Sequence, residues 1–256
     1  MKIVKKIKRF HMELSDACGC QDTERVQNLI AAGEDLKEPW TVDGYPIAIA
    51  IETNNLEILR ALIEAGMPTY LNTTLAIKRY GTVENQTLAS LWTPSCHQSI
   101  MYLLDQGAAV QTDSEDNAPV FALTKLHDRE AGSESDEFFE RLVANGIDVD
   151  APWGEHHRLL HLISQGRNRY VPKLIALSQD INVMGANEFD TPLRCAITAG
   201  SEQAVRALLE KGASADAYAS KGTSLLQLAE HVKEYKRHLN LGGQVDRIIS
   251  LLESSC

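Results

Sequence analysis

One stretch of the sequence carries histidines at a spacing that suits a metal ion. Glu155, His156 and His157 are followed by His161. On a helix His157 and His161 would share one face, as the two imidazoles of a metal site do. No second pair of ligands accompanies them, so the sequence predicts no metal site here.

Two cysteines near the start of the chain could bind a soft metal as thiolates. Cys18 and Cys20 flank Gly19, and side chains two positions apart diverge in direction on a helix. A lone pair of thiols does not complete a metal site. We therefore expect ordinary core or surface thiols.

Sequence signatures of catalysis are missing. The chain has no Gly-x-Gly-x-x-Gly, no Gly-x-x-x-x-Gly-Lys-Ser/Thr and no Gly-x-Ser-x-Gly. We therefore predict that the protein is not an enzyme, with no catalytic residues and no cofactor.

Charge and composition limit the class of partner. The 256 residues carry a net charge of −10, which argues against nucleic acid and favours either a basic partner or simple solubility. No stretch resembles a secretory signal or a membrane span. The 5 cysteines are odd in number and scattered, which is typical of reduced thiols. These observations predict a cytoplasmic protein that is monomeric when free and binds neither nucleic acid nor membrane.

An internal repeat organises the whole chain. Second helices are predicted to end near residues 33, 66, 107, 146, 178, 212 and 255, and apolar residues recur seven, four and three positions before each end. Such offsets fall on one face of a helix. The triplets are Val26/Leu29/Ile30, Leu59/Leu62/Ile63, Ile100/Leu103/Leu104, Phe139/Leu142/Val143, Val171/Leu174/Ile175, Val205/Leu208/Leu209 and Ile248/Leu251/Leu252.

The sixth unit resembles an ankyrin repeat almost position for position. Asp190-Thr191-Pro192-Leu193 opens its first helix, and the run from Ala207 to Gly212 closes its second. Gly44 to Gly66 is a second good match, and His161 occupies the position of the family's usual structural histidine. The resemblance implies an all-α ankyrin-repeat solenoid of stacked helix-loop-helix units with short β-hairpin fingers. It covers the chain from about Leu14 to Leu252. We predict one domain, residues 1–256, with residues 1–12 as a basic N-terminal cap or a segment that contacts an anionic surface.

Three insertions lengthen the repeats beyond the family period. They fall within residues 69–84, between the helices of unit four within residues 125–136, and after the first helix of unit seven within residues 235–244, where Gly242-Gly243 predicts a turn. Insertions in repeat proteins become loops, which often carry function.

The loops between units are predicted to carry the partner-binding residues. The resemblance implies a row of fingers beside a concave surface, and Pro-Trp recurs at one repeat position, as Pro39-Trp40 and Pro152-Trp153. Exposed aromatic residues favour either partner recognition or packing between fingers, and acidic fingers favour a basic partner. The candidates are Glu38, Trp40, Asp43, Tyr70, Lys78, Arg79, Tyr80, Asp113, Glu115, Asp116, Trp153, Glu155, Glu188, Phe189 and Tyr218.

These features predict a non-catalytic module that binds one dedicated, basic protein. An acidic binder of this size is similar to the ankyrin-type immunity proteins that bacteria pair with secreted toxins, which implies an inhibitory role. The alternative is a general scaffold, an adapter or a host-directed effector that bridges two proteins.

Overall fold

The computed structural model describes residues 13–33, 45–66, 71, 75–79, 82–110, 119–124, 132–153, 156–157, 163, 169–184, 191–214, 224–236 and 242–254. The predicted N-terminal cap, residues 1–12, lies outside them. The chain divides into two compact units, Met1–Ala122 with Gly132–Ile147 and Leu123–Ala131 with Asp148–Cys256. No helix in the described ranges has the length and apolar character that a membrane crossing needs.

The first unit consists of paired helices with one β-hairpin between them. Its helices are α1 (13–19), α2 (Thr23–Ala31), α3 (Pro46–Glu52), α4 (Leu56–Glu64), α5 (His97–Asp105) and α7 (Ser133–Ala144). The hairpin consists of β1 (Leu75–Arg79) and β2 (Thr82–Gln86), followed by 3₁₀ turns at Leu88–Leu91 and Pro94–Cys96. A short helix, α6 (Val120–Thr124), lies where the two units divide.

The second unit repeats the helical pairing. It begins with a small hairpin of β3 (Pro152–Trp153) and β4 (His156–His157). Its helices are α8 (Tyr170–Leu177), α9 (Pro192–Ala199), α10 (Glu202–Glu210), α11 (Leu225–Lys236) and α12 (Gly242–Glu253).

The apolar stripe of the second helices forms the core, as the sequence predicts. Leu59 and Leu62 of α4 are fully buried, and so is Leu208 of α10. In the second unit α10 packs against α8, α9 and α12, so each second helix contacts its own partner and its neighbours. Burying each such side chain contributes about 1.5–3 kcal/mol to the stability of the fold, so these residues serve to pack the helices together.

In α7 the buried face differs from the prediction. Phe138 is fully buried, whereas Phe139 is only partly buried and Val143 is 36% exposed. The core face of this helix is therefore rotated toward Phe138, which stacks on Trp92 at 4.5 Å between ring centroids. A partner ring in the tertiary structure decided which of two adjacent phenylalanines enters the core.

Two of the predicted insertions contain more helix than the sequence suggested. Helix α7 already begins at Ser133, within the stretch predicted as a loop between the helices of unit four. Gly242 and Gly243, predicted as a turn, instead form the first residues of α12. In unit seven α11 extends to Lys236 and α12 begins at Gly242, so both ends of the predicted insertion are helical.

The predicted helix ends agree with the structure at the glycines. Gly33, Gly66, Gly107, Gly146 and Gly212 follow α2, α4, α5, α7 and α10, each with a positive φ between 76° and 115°. Ser178, which follows α8, takes an extended conformation instead, with φ −62° and ψ 143°. A serine suits this end because the chain there does not enter the left-handed region that favours glycine.

Candidate partner-binding site

Most of the predicted partner-binding residues lie outside the described part of the chain. Lys78 and Arg79 lie in β1, and Trp153 lies in β3. The remaining candidates, whose structural placement is not described, are Glu38, Trp40, Asp43, Tyr70, Tyr80, Asp113, Glu115, Asp116, Glu155, Glu188, Phe189 and Tyr218.

The insertion between the second and third repeats is a β-hairpin. Strands β1 and β2 pair antiparallel from Leu75↔Gln86 to Arg79↔Thr82, with two residues between the last pair. Strands of five residues reach about 17 Å at the usual rise of 3.4 Å per residue. We call this hairpin, residues 75–86, the arm. It carries Lys78 opposite Val83 and Arg79 opposite Thr82.

The chain leaves the arm directly into a buried anchor. Thr87 follows β2 and is 2% exposed, and Leu88, Leu91 and Trp92 are equally inaccessible. The Cys96 thiol stabilises this segment through two hydrogen bonds. It donates to the Leu91 carbonyl oxygen at 3.4 Å and accepts from the Thr93 backbone nitrogen at 3.2 Å. We call residues 87–97 the anchor segment.

A polar cluster, buried at Trp92 and His97, joins the anchor segment to α7. The Trp92 indole Nε1 donates to Nδ1 of His97 at 3.2 Å, and Nε2 of His97 lies 2.9 Å from Oε2 of Glu137. The Trp92 ring also stacks nearly parallel on Phe138, at an interplanar angle of 7°. Trp92 is therefore part of the core, and its interactions join the base of the arm to two helices, α5 and α7.

The fourth finger is a minimal hairpin with an ordered base. Pro152 pairs with His157 and Trp153 with His156, which places the Pro-Trp pair in a strand beside a two-residue connection. At its base Asp148 Oδ1 accepts from the Asp150 nitrogen at 2.9 Å, the turn chemistry that the sequence predicts for Asp148.

Asp150 is engaged by the next repeat. Its carboxylate accepts from the Ser178 hydroxyl at 2.5 Å and from the Gln179 nitrogen at 2.6 Å. The carboxylate of Asp150 therefore joins this finger to the next repeat. The contact also explains why serine stands at position 178, because a glycine has no hydroxyl to donate a hydrogen bond to Asp150.

Lys211 completes this junction from the following repeat. Its Nζ donates to the carbonyl oxygens of Ile175, Ala176 and Ser178 at 3.0, 2.8 and 2.5 Å. These are the last carbonyls of α8, where the helix dipole favours a cation. Three successive repeats are thus connected through Asp150, Ser178 and Lys211.

The paired histidines do not share a helix. His157 lies in β4, so the helical spacing on which a two-imidazole site with His161 would depend does not apply, and His161 lies outside the described residues. The strand forms because residues 152–157 turn back on themselves as a hairpin. Over the part of the chain that is described, no cluster of histidine, cysteine and carboxylate side chains could hold a metal ion.

Burial distinguishes the two cysteines that flank Gly19. Cys18 is buried, which raises the pKa of its thiol to about 12, whereas Cys20 is exposed. Burial also raises the pKa of Cys96 in the anchor segment. A thiol that stays protonated is a poor nucleophile and a poor metal ligand, so Cys18 and Cys96 act as core residues.

A charged contact joins the last repeats. Glu202 of α10 accepts from Arg247 of α12 at 2.5 Å and from Arg206 at 3.1 Å. The hydrogen bond from Arg247 lowers the pKa of the Glu202 carboxyl, with Arg206 adding to the effect. The contact is largely solvent-exposed and contributes mainly to orientation.

Sequence reasoning did not identify the Trp92–His97–Glu137 cluster or the junction at Asp150. The partners in these contacts are 40 and 28 residues apart, and no local motif connects them. One signal was available for Ser178, because it departs from the glycine that ends most of the second helices.

Comparison with known proteins identifies the repeat. The family model for the ankyrin repeat matches residues 189–220. The crystal structure of the human ASB11 ankyrin repeat domain superposes with a TM-score of 0.59 and 20% sequence identity, covering 84% of this chain and 90% of that chain. A search of curated proteins found no match.

Proposed function

Because the chain has the ankyrin-repeat fold, we propose that it is a non-catalytic module that binds one dedicated protein partner. Ankyrin repeats are generally protein–protein interaction modules, and solenoids of this kind present extended binding surfaces. The observation that supports a dedicated partner is the arm, a hairpin of two five-residue strands that the repeat period does not require. The helical stripes are used in stacking, so the arm and the fingers remain for recognition.

The proposed partner is basic. The net charge of −10 and the acidic fingers favour a cationic surface, and complementary charge speeds encounter. Asp150 and Glu202 already bond within the protein, so the proposal places the contact on the finger residues Glu38, Asp43, Asp113, Glu115, Asp116, Glu155 and Glu188. Trp40, Tyr70, Trp153, Phe189 and Tyr218 are the proposed aromatic contacts, and Lys78, Arg79 and Tyr80 those of the arm.

The first test is an affinity pull-down from the native host with variants of the fingers and of the arm. We expect wild type to retain a single basic protein, and Trp40→Ala/Trp153→Ala and Lys78→Ala/Arg79→Ala to lose it. Tyr235→Ala is the matched control, because Tyr235 is an aromatic residue of α11 and is itself 78% exposed. Circular dichroism establishes that all the variants are folded.

Calorimetry with the purified captured protein then measures the interface. Truncating aromatic hot spots costs about 2 kcal/mol or more, so we expect at least about a 30-fold weaker complex for the tryptophan variant. Unchanged affinity in both the finger and the arm variants would refute the assignment of the surface.

The finer proposal is that binding neutralises a toxin, as an immunity protein does. A captured enzyme should then lose its activity at one equivalent of this protein. A captured protein that keeps full activity, or two proteins captured together, would instead identify a scaffold or adapter.

A further inference from the structure

The hydrogen bonds of His97 identify the tautomer of its neutral ring. An indole nitrogen can only donate, so Nδ1 of His97 must accept the Trp92 hydrogen bond at 3.2 Å and carries no proton. The proton of the neutral ring therefore lies on Nε2, which donates to Glu137 at 2.9 Å. The side chain of His97 is 9% exposed, so little of the ring is open to solvent.

We propose that His97 is a proton-operated latch on the arm, in which proton uptake at Nδ1 releases the Trp92 indole and loosens the anchor segment. When Nδ1 binds a proton, the Nδ1–H of His97 faces the indole N–H of Trp92, and the hydrogen bond between the two side chains is lost. Trp92, which is 3% exposed, then has a buried donor without this acceptor. A buried donor that loses its acceptor is costly, so the indole moves away from His97.

The arm is coupled to this step through a short, buried connection. Residues 87–91 lie between the last residue of β2 and Trp92. A hydrogen bond from the backbone nitrogen of Trp92 to the Ala89 carbonyl oxygen, at 3.4 Å, closes the turn. Movement of Trp92 is therefore transmitted to the end of β2. That the loosened arm also binds its partner less well rests on the proposed function.

Glu137 of α7 is the charged group that the described contacts place against the His97 ring. Its Oε2 lies 2.9 Å from Nε2 of His97, and its side chain is 55% exposed.

Other charged groups on the neighbouring elements also have described interactions. Arg141 of α7 pairs with Asp105 of α5, and Arg60 of α4 lies over the ring of Tyr102. From α3, the charge of Glu52 contributes to the raised pKa of the Cys96 thiol, which precedes His97 in the chain. The Cys96 thiol itself stays neutral because burial raises its pKa.

The latch can be tested on the free protein by following the indole N–H resonance of Trp92. The sample is the folded Trp40→Phe/Trp153→Phe variant, in which Trp92 is the sole tryptophan, titrated between about pH 8 and about pH 5 to span histidine titration. We expect one transition of the Trp92 signal that coincides with titration of the His97 ring.

Two further substitutions determine whether that transition belongs to His97. His97→Asn retains an acceptor near the position of Nδ1 but cannot titrate, so it should abolish the transition. Glu137→Gln lies on the surface, and it should move the midpoint to lower pH because the nearby anion is removed. A Trp92 signal that does not change while the protein stays folded, or a midpoint unmoved in Glu137→Gln, would overturn the proposal.

Amide hydrogen exchange of β1 and β2 reports on the arm itself. Below the transition, wild type should show at least about a tenfold loss of protection at Thr82–Gln86 relative to His97→Asn at the same pH, which cancels the intrinsic pH dependence of exchange. Equal protection in the two proteins would refute the coupling. Neither measurement needs a partner, so its outcome is independent of the pull-down that tests the proposed function.

Discussion

Asn54 lies in the left-handed region at φ 52°, and its amide oxygen accepts from the Ser99 nitrogen at 3.0 Å. Ser99 is in the first turn of α5, where backbone nitrogens have no partner within the helix. The backbone of Asn54 therefore turns the chain after the first helix of the second repeat, and its side chain caps a helix of the third. Asparagine suits both roles, because it tolerates the left-handed conformation and supplies an acceptor.

Replacing Asn54 should separate these two contributions. Asn54→Gly keeps the backbone conformation and loses the bond to Ser99, so we expect a loss of about 1 kcal/mol in the free energy of unfolding. Asn54→Ala also incurs the left-handed strain and should lose about 1 kcal/mol more. Urea denaturation measures both, and equal stability of the two variants would contradict the strain argument.

At the scale of the element, three first helices end in the same way. Gln21, Asn54 and Gly200 all have positive φ, at 56°, 52° and 71°. The next residue in each case caps the second helix through its side chain: Asp22, Asn55 and Ser201 accept from Arg25, Ile58 and Ala204 nitrogens. Two adjacent residues thus set the turn between paired helices, and a polar residue replaces glycine in two repeats.

Two glycines with equally open surroundings should respond oppositely to alanine. A Cβ added at Gly243 or at Gly212 meets nothing within 4 Å, but Gly212 has φ +94° whereas Gly243 lies in the first turn of α12 without a left-handed φ. Gly243→Ala should therefore stabilise the protein by about 0.5–1 kcal/mol because alanine favours helix. Gly212→Ala should destabilise it by about 1 kcal/mol or more.

Thermal unfolding of the two variants beside wild type measures this difference. A shift of both melting temperatures in the same direction would contradict the argument, because space is matched between the sites and only the backbone conformation differs.

At the scale of the whole molecule, the net charge of −10 should govern the rate at which the protein associates with a charged partner. If a basic partner is bound through the acidic fingers, salt should weaken the complex, since the Debye length falls from about 30 Å at 0.01 M to about 10 Å at 0.1 M ionic strength. We expect the association rate to fall at least about tenfold across that range, with little change in dissociation. Stopped-flow or surface binding kinetics measure it, and an association rate independent of salt would contradict a charged interface.

The sequence by itself determined the repeat, the helix ends at glycine and the apolar stripe. These are local properties: a period of about 33 residues, a backbone that must turn left-handed, and side chains three and four positions apart on one helix face. The likeness of residues 189–220 to the ankyrin repeat follows from the same local pattern.

Only the tertiary structure decided which residues meet across repeats. Phe138 enters the core in place of Phe139 because Trp92 offers it a ring, and Ser178 replaces a glycine because Asp150 accepts its hydroxyl. His97 lies between Trp92 and Glu137, 40 residues away from the latter. Such contacts depend on the distance and direction between side chains that are remote in sequence, and helical periodicity carries no information about either.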